Sequence, residues 1–146
     1  MEVAELKAKW VGSSFDSSEF EVTEEKMLEF AASCGDTDPR FCDASNPDFQ
    51  AAPTFTSQFH GHRMLPEGFP GFGPYDGAFD AGKCVEAHTP VRAGDRLSAS
   101  SEIHDIYEKT GRSGRMTFLV HRMAFSNQRG ELVSVVDWRL LQKTKT

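Results

Sequence analysis

The clearest pattern in the chain lies in its second half, where hydrophobic and polar residues alternate with period two in four blocks. These are "FDAGKCVEAHTPV" from Phe79, "DRLSASSEIHDIYEKT" from Asp95, "RMTFLVHRMAFS" from Arg115 and "ELVSVVDWRLLQK" from Glu131. Alternation sends successive side chains to opposite faces of an extended backbone, so each block predicts a β-strand. The blocks are separated by "RAGD", "GRSG" and "NQRG", whose Gly, Asn, Asp and Ser suit tight turns, and the arrangement predicts an antiparallel meander. In the third block one parity gives Met116, Phe118, Val120 and Ala124, interrupted by Arg122. The other gives Leu119, Met123 and Phe125, interrupted by His121. Both faces of the sheet are therefore partly apolar, and both need cover, one from a helix and the other from a second subunit.

The first half carries helical signals. Thr23 is a suitable N-cap for a segment with Glu24 and Glu25 in its first turn, Met27, Leu28 and Ala31 at helical spacing, and Gly35 as a stop. A second helix is predicted from Pro53 or Thr54 through "TFTSQFHGHRML", with Phe55, Phe59 and Met64 on one side. Gly61 weakens it by about 1 kcal/mol relative to alanine. With a further strand near "FEV" (Phe20–Val22), the pattern predicts an α+β domain in which about five strands wrap a central helix. No repeat of fixed period is present. The Gly/Pro/Phe stretch "PEGFPGFGPYDG" at 66–77 is a candidate lid.

Composition narrows the function classes. A chain of 146 residues, 38% hydrophobic and 11% aromatic, fits one domain with a single core. With 16 Lys plus Arg against 22 Asp plus Glu, the formal charge is −6, and no long basic stripe offsets it. Nucleic acid and anionic membranes are thus poor partners. No run approaches the roughly 20 apolar residues of a membrane span, and a cytoplasmic protein is expected. Cys34, Cys42 and Cys84 are too few and too dispersed for a disulfide framework or a tetrahedral zinc site, so reduced structural thiols are expected, with no metal and no cofactor.

Four pieces in fixed order, "FEVTEEKMLEFAASCGDTDP", "APTF", "PVRAGDRL" and "NQRGELV", carry a resemblance that covers nearly the whole chain. In them the sequence resembles the MaoC-like hot-dog family of R-specific enoyl-CoA hydratases and 3-hydroxyacyl thioester dehydratases, and in particular its motif-poor, N-terminal half. The resemblance implies a hot-dog fold, with a long central helix wrapped by a curved antiparallel sheet, and an acyl-CoA or acyl-carrier thioester as ligand. The family's hydratase motif reads Gly, Asp, any residue, Asn, Pro, any residue, His. Gly35, Asp36 and Pro39 match it, Asp38 replaces the Asn, and Phe41 stands in place of the His.

That last departure bears on the chemistry. Hydrating an unsaturated thioester needs a group to take a proton from water and another to protonate the α-carbon, and a His/Asp pair holding one water serves both. Backbone N–H groups near a helix start polarise the carbonyl. Asp36 can orient water, or it can simply satisfy backbone N–H groups in a turn; Phe41 carries no proton. Among the histidines, His60 and His62 are the candidate substitute bases, ahead of His88, His104 and His121, although their two-residue spacing sends them to different faces of a helix.

The candidate substrate-binding residues are Thr54 and Phe55 at the helix start, and Phe69, Phe72, Tyr75 and Phe79, which either line an acyl cavity or anchor a loop. Arg112 and Arg115, with Lys109, either meet the phosphates of CoA or an acidic carrier protein, or form a solvated hairpin turn. The resemblance implies a subunit that shapes the acyl pocket while a His-bearing hot-dog partner supplies the catalytic pair, in a homo- or hetero-oligomer. Other classes are a non-catalytic acyl-thioester-binding or structural subunit, and a hot-dog thioesterase using Asp36 or a glutamate as base.

Overall fold

The computed structural model describes residues 2–73 and 76–143. One antiparallel sheet of five strands is formed by β1 (Ser14–Glu21), β2 (Ala78–Ala87), β3 (Arg96–Gly111), β4 (Gly114–Ser126) and β5 (Leu132–Lys143). All four alternating blocks are strands, and β1 begins before the expected "FEV". The meander holds only for β3, β4 and β5, because the spatial order is β1-β3-β4-β5-β2. "RAGD" is thus not a hairpin turn. Residues 88–95 cross the end of the sheet instead, tied by His88 N–H to the Val133 carbonyl (2.8 Å), Ala51 N–H to the Val91 carbonyl (2.8 Å) and Gly94 N–H to the Val22 carbonyl (2.8 Å).

Asp95 fixes that crossing. It is 4% exposed, and its carboxylate accepts from Arg92 N–H (2.9 Å) and Gln128 Nε2 (2.9 Å) while its carbonyl accepts from Val22 N–H (2.9 Å). The "PVRAGDRL" signature thus binds the end of β1 through the Asp95 carbonyl and the β4–β5 hairpin through its buried carboxylate.

Helix α2 (Glu24–Ser33) forms as the sequence predicts: Thr23 Oγ1 accepts from Lys26 N–H (3.2 Å), and Gly35, at φ 65°, ends the segment. Two helices were not anticipated, α1 (Val3–Trp10) and the single turn α3 (Pro39–Cys42). The expected long central helix is absent among the described residues. In its place stands one 3-10 turn, Phe55–Gln58, after which Phe59 is extended (φ −84°, ψ 137°). Gly61 favours this path. A Cβ there would stand 2.5 Å from Asp16 Oδ2 and 3.3 Å from Ser18 Oγ, so the glycine lets this segment press directly onto β1 rather than coil above the sheet.

The inner face of the sheet carries Leu119, His121, Met123 and Phe125 from β4 opposite Leu140, Trp138, Val136 and Ser134 from β5. One apolar cluster on it joins Val22, Met27, Phe55, Leu97, Met123, Phe125 and Val136, and a second joins Leu6, Phe72, Ile103, Ile106, Leu119 and Leu140. The outer face carries Phe118, stacked on Tyr107 (5.1 Å, 7°), and the bidentate pair Arg122–Asp137 (2.7 and 2.8 Å). Cys34, Cys42 and Cys84, expected to be structural, are all exposed, so none fills the core.

Phe55, 1% exposed, touches Phe30 and Phe59 edge-on at 5.7 and 5.3 Å. Its truncation opens a void in a close-packed core, and Phe55→Ala should lower the unfolding free energy by about 3–5 kcal/mol. Urea denaturation checks this; a loss below about 1 kcal/mol would show that the 3-10 turn does not anchor the sheet.

Candidate functional site

The "GDTDPRF" loop is built by local hydrogen bonds. Asp36 Oδ1 accepts from Asp38 N–H (3.0 Å), and Asp38 caps α3 by accepting from Arg40 N–H (3.0 Å) while pairing with the Arg40 guanidinium (2.7 Å). Those bonds hold the Asp38 carboxyl below the usual range. Phe41 turns inward, 8% exposed, and packs with Ala31 and Ala52. The position that the motif gives to a histidine is thus a core position here, and Asp36 has the geometry of a turn residue.

Ala51, Ala52, Pro53, Phe55 and Thr56 line a cavity of about 130 Å³ that is closed on its other side by His88 and Ser134. At its floor the Thr56 and Ser134 hydroxyls share a buried hydrogen bond of 2.7 Å. Thr54 is exposed and does not line it.

The structure separates the remaining candidates. Phe69 packs on Trp10 (5.3 Å) and Phe72 (6.1 Å), within the second apolar cluster. Phe72, at φ 61°, is 2% exposed, and its N–H donates to Gln142 Oε1 (3.2 Å). It also lines an open groove of about 750 Å³ that Arg115 and Lys143 share with Glu108. Phe79 is 56% exposed on the sheet edge, Arg112 is exposed in the β3–β4 turn, and Tyr75 lies outside the described residues. Among the described residues, Phe72 and Arg115 thus meet at this groove, while Phe69, Phe79 and Arg112 do not line it.

His60 and His62 are both exposed and have different neighbours, although the helix that was to send them to different faces is absent among the described residues. His62 is exposed beside β1. His60 packs edge-on against Trp138 (5.5 Å), whose indole N–H donates to Asp80 Oδ1 (3.1 Å). Lys83 sits over the same indole (5.1 Å) and donates to the Ser57 carbonyl (2.7 Å). Burial, then the Lys83 charge, lowers the His60 pKa, with Asp80 opposing; burial lowers that of Lys83 as well.

Sequence reasoning passed over the most unusual group, His121. It is 2% exposed in the middle of the inner face, with the Phe15 ring at 5.1 Å and the Trp138 ring at 6.1 Å; neither ring nitrogen makes a hydrogen bond of good geometry, although the Met64 backbone lies close enough to oppose the effect of burial. Burial pushes its pKa down to about 4. The signal was present as the one break in the alternation Leu119, His121, Met123, Phe125.

A five-stranded antiparallel sheet with a short helical segment on its inner face defines a hot-dog domain. A family model described as the FAS1-like dehydratase domain region matches residues 9–136, and the chain belongs to that family, among the MaoC-like hot-dog proteins. A UPF0336 protein of Parafrankia sp. (strain EAN1pec) is 33% identical over 138 residues, which span 88% of this chain and 89% of that protein. Two solved structures from Mycobacterium tuberculosis share the fold. A C-terminally truncated HadBC (3R-hydroxyacyl-ACP dehydratase) complex matches at TM-score 0.65 and 24% identity, over 93% of this chain and 99% of that one. The ChsH1–ChsH2 complex matches at TM-score 0.67 and 20% identity, over 99% and 95%. Among the described residues, no helix is long and apolar enough to cross a membrane.

The buried imidazole has a thermodynamic consequence. Its folded pKa of about 4 lies below the ordinary 6.5, so above pH 6.5 both states are neutral and nothing is lost. As pH falls from 6.5 towards 4, the unfolded chain takes up a proton that the folded chain refuses, and stability drops. Between pH 7.5 and 5.0 His121 should cost about 2 kcal/mol. His121→Leu should flatten the urea-midpoint profile in that window; an unchanged slope would mean that His121 is hydrated and titrates normally.

Proposed function

We propose that this protein is a subunit of an enoyl-CoA hydratase or 3-hydroxyacyl-thioester dehydratase in which it shapes the acyl pocket and a His-bearing hot-dog partner supplies the catalytic pair. The observation that carries this is Phe41. It occupies the motif's histidine position with its ring buried against Ala31 and Ala52, so the loop has no proton-transfer group there, and Asp36 is engaged in holding a turn. Membership of a dehydratase family supports the reaction class, and the HadBC and ChsH1–ChsH2 complexes, each of two differently named chains, support a paired assembly. The ligand is an acyl-CoA or an acyl-carrier thioester, and the exposed Arg112 and Arg115 suit its phosphates. The half-buried apolar residues of the outer face, Phe118, Ala124, Val135 and Leu141, support association.

One observation favours a second reading. His60 stands within electrostatic reach of both Asp80 and Lys83, which is the company of an autonomous acid/base site. In that case the chain would turn over thioesters alone, as a hydratase or a thioesterase.

Purified chain alone should hydrate enoyl-CoAs no faster than buffer, and mixing it with a motif-bearing hot-dog protein from the same genome should give activity and a stable complex by light scattering. Asp36→Ala should leave the activity of the mixture within about tenfold, or roughly 1.4 kcal/mol of barrier, whereas removing the partner's motif histidine should abolish it. Turnover by the chain alone that collapses on Asp36→Ala would make "GDTDPRF" an active-site loop. Turnover that collapses on His60→Ala would establish the second reading.

A further inference from the structure

The cavity beside Phe55 has a graded lining. Its rim is formed by the exposed residues Pro53, Ala87, His88 and Pro90, and its walls by the buried Ala51, Ala52, Phe55, Val91 and Val133. Thr56 and Ser134, each 2% exposed, complete it at the floor. Ala52 also packs against Phe41, so the residue that stands in place of the motif histidine supports one wall of this cavity.

The two floor hydroxyls carry two hydrogens between them, and their mutual bond of 2.7 Å uses one. Among the described residues neither hydroxyl makes a second hydrogen bond, so one buried O–H is left without an acceptor. An unmade bond at such depth is costly. Because both residues line the cavity, the missing acceptor has room to stand inside it.

The lining selects what that acceptor belongs to. No Asp, Glu, Lys or Arg lines the cavity, so a charged group would be buried there without a counter-charge. The other buried side chains of the lining are apolar, which gives a water too few of the roughly three polar partners it ordinarily has and suits carbon instead. The volume of about 130 Å³ is close to the roughly 150 Å³ that holds one benzene, and so admits about six carbon-sized atoms. We propose that this cavity is a short-acyl subsite: an uncharged chain of about six carbons enters from the rim, and an oxygen near its far end accepts the spare hydrogen of the Thr56–Ser134 pair. The subsite rests on the acyl-thioester reading above and adds to it a substrate class, a short acyl group that bears a keto oxygen near its tip.

The test is direct binding, without turnover, of hexanoyl-CoA, 5-oxohexanoyl-CoA and dodecanoyl-CoA to the full chain, alone and assembled with a motif-bearing hot-dog partner. The 5-oxohexanoyl ligand should bind about tenfold more tightly than hexanoyl-CoA, as one buried hydrogen bond provides, and dodecanoyl-CoA should bind no more tightly than hexanoyl-CoA. Thr56→Val together with Ser134→Ala replaces both hydroxyls by apolar groups, a paired change that folds tolerate. It should erase the keto preference and affect hexanoyl-CoA little. Ala87→Leu, at the exposed rim and outside the core, should weaken both shorter ligands. In the unsubstituted protein 5-oxohexanoyl-CoA should shift the methyl resonances of Val91 and Val133. Equal affinity for the two shorter ligands, or a keto preference that survives the double substitution, would mean that the floor holds water only. Either result, or tightest binding of dodecanoyl-CoA, overturns the subsite and leaves the acyl-thioester reading intact. If no acyl-CoA binds in either form, both fall.

Discussion

Phe55 and Phe59 close the inner face of the sheet, and the rest of the structure depends on that contact. Phe59 stacks on Phe20 at 4.5 Å and reaches Phe125 at 6.2 Å, while Phe55 meets Phe30 of α2 at 5.7 Å, so β1, β4 and α2 converge on two side chains four residues apart. Aromatic pairs at these separations add roughly 0.5–1.5 kcal/mol each beyond their buried area. One 3-10 turn is enough to present both rings, so the fold closes without a long helix. The chain beyond Phe59 is then released to cross β1 through Gly61. A continuous helix would satisfy its own backbone and bring an apolar stripe. The crossing segment makes no backbone–backbone hydrogen bond among the described residues, and Met64 and Leu65 pack it onto the second apolar cluster.

The same economy governs the "GDTDPRF" loop. Phe41 adds its ring to the Ala31–Ala52 contact and so fastens α3 to α2 and to the segment that leads into the 3-10 turn. A histidine there would be either buried and unpaired or swung out, and the loop would lose its apolar anchor. The residue that removes proton transfer from this loop also fixes the approach to the Phe55 turn. Structural support here and catalysis in a second chain are consistent uses of one substitution.

Much of this was legible in the sequence. The alternating blocks mark their strands because sheet burial has period two, and Thr23 with Gly35 bounds α2 because the cap and the positive φ are local requirements. The 55–64 segment misled for a physical reason: Phe55 and Phe59 do share one face, but the spacing that signals a helix needs only one turn to be satisfied. Gly61, which weakens a helix, also lies close against the Asp16 and Ser18 side chains, a contact that exists only once β1 is in place. The strand order was hidden for a similar reason, since Asp95 reads as a turn residue until Gln128 and Val22 are seen to bind it. The site residues were hardest to read. Phe69 to Phe79 look like one aromatic group along the chain, yet Phe72 is buried in the core and Phe79 is exposed on the edge strand. His121 was visible only as a break in a pattern.

The proposed division of labour between this chain and a partner turns on whether any of its own groups moves a proton at the α-carbon. That can be read without net turnover, by mass spectrometry of a bound 3-hydroxyacyl-CoA incubated with the purified chain in D₂O. No α-deuterium should be incorporated above the buffer rate until a motif-bearing hot-dog protein is added. Incorporation catalysed by the chain alone, and lost on replacing Asp36 or His60, would contradict the assignment of catalysis to a second subunit.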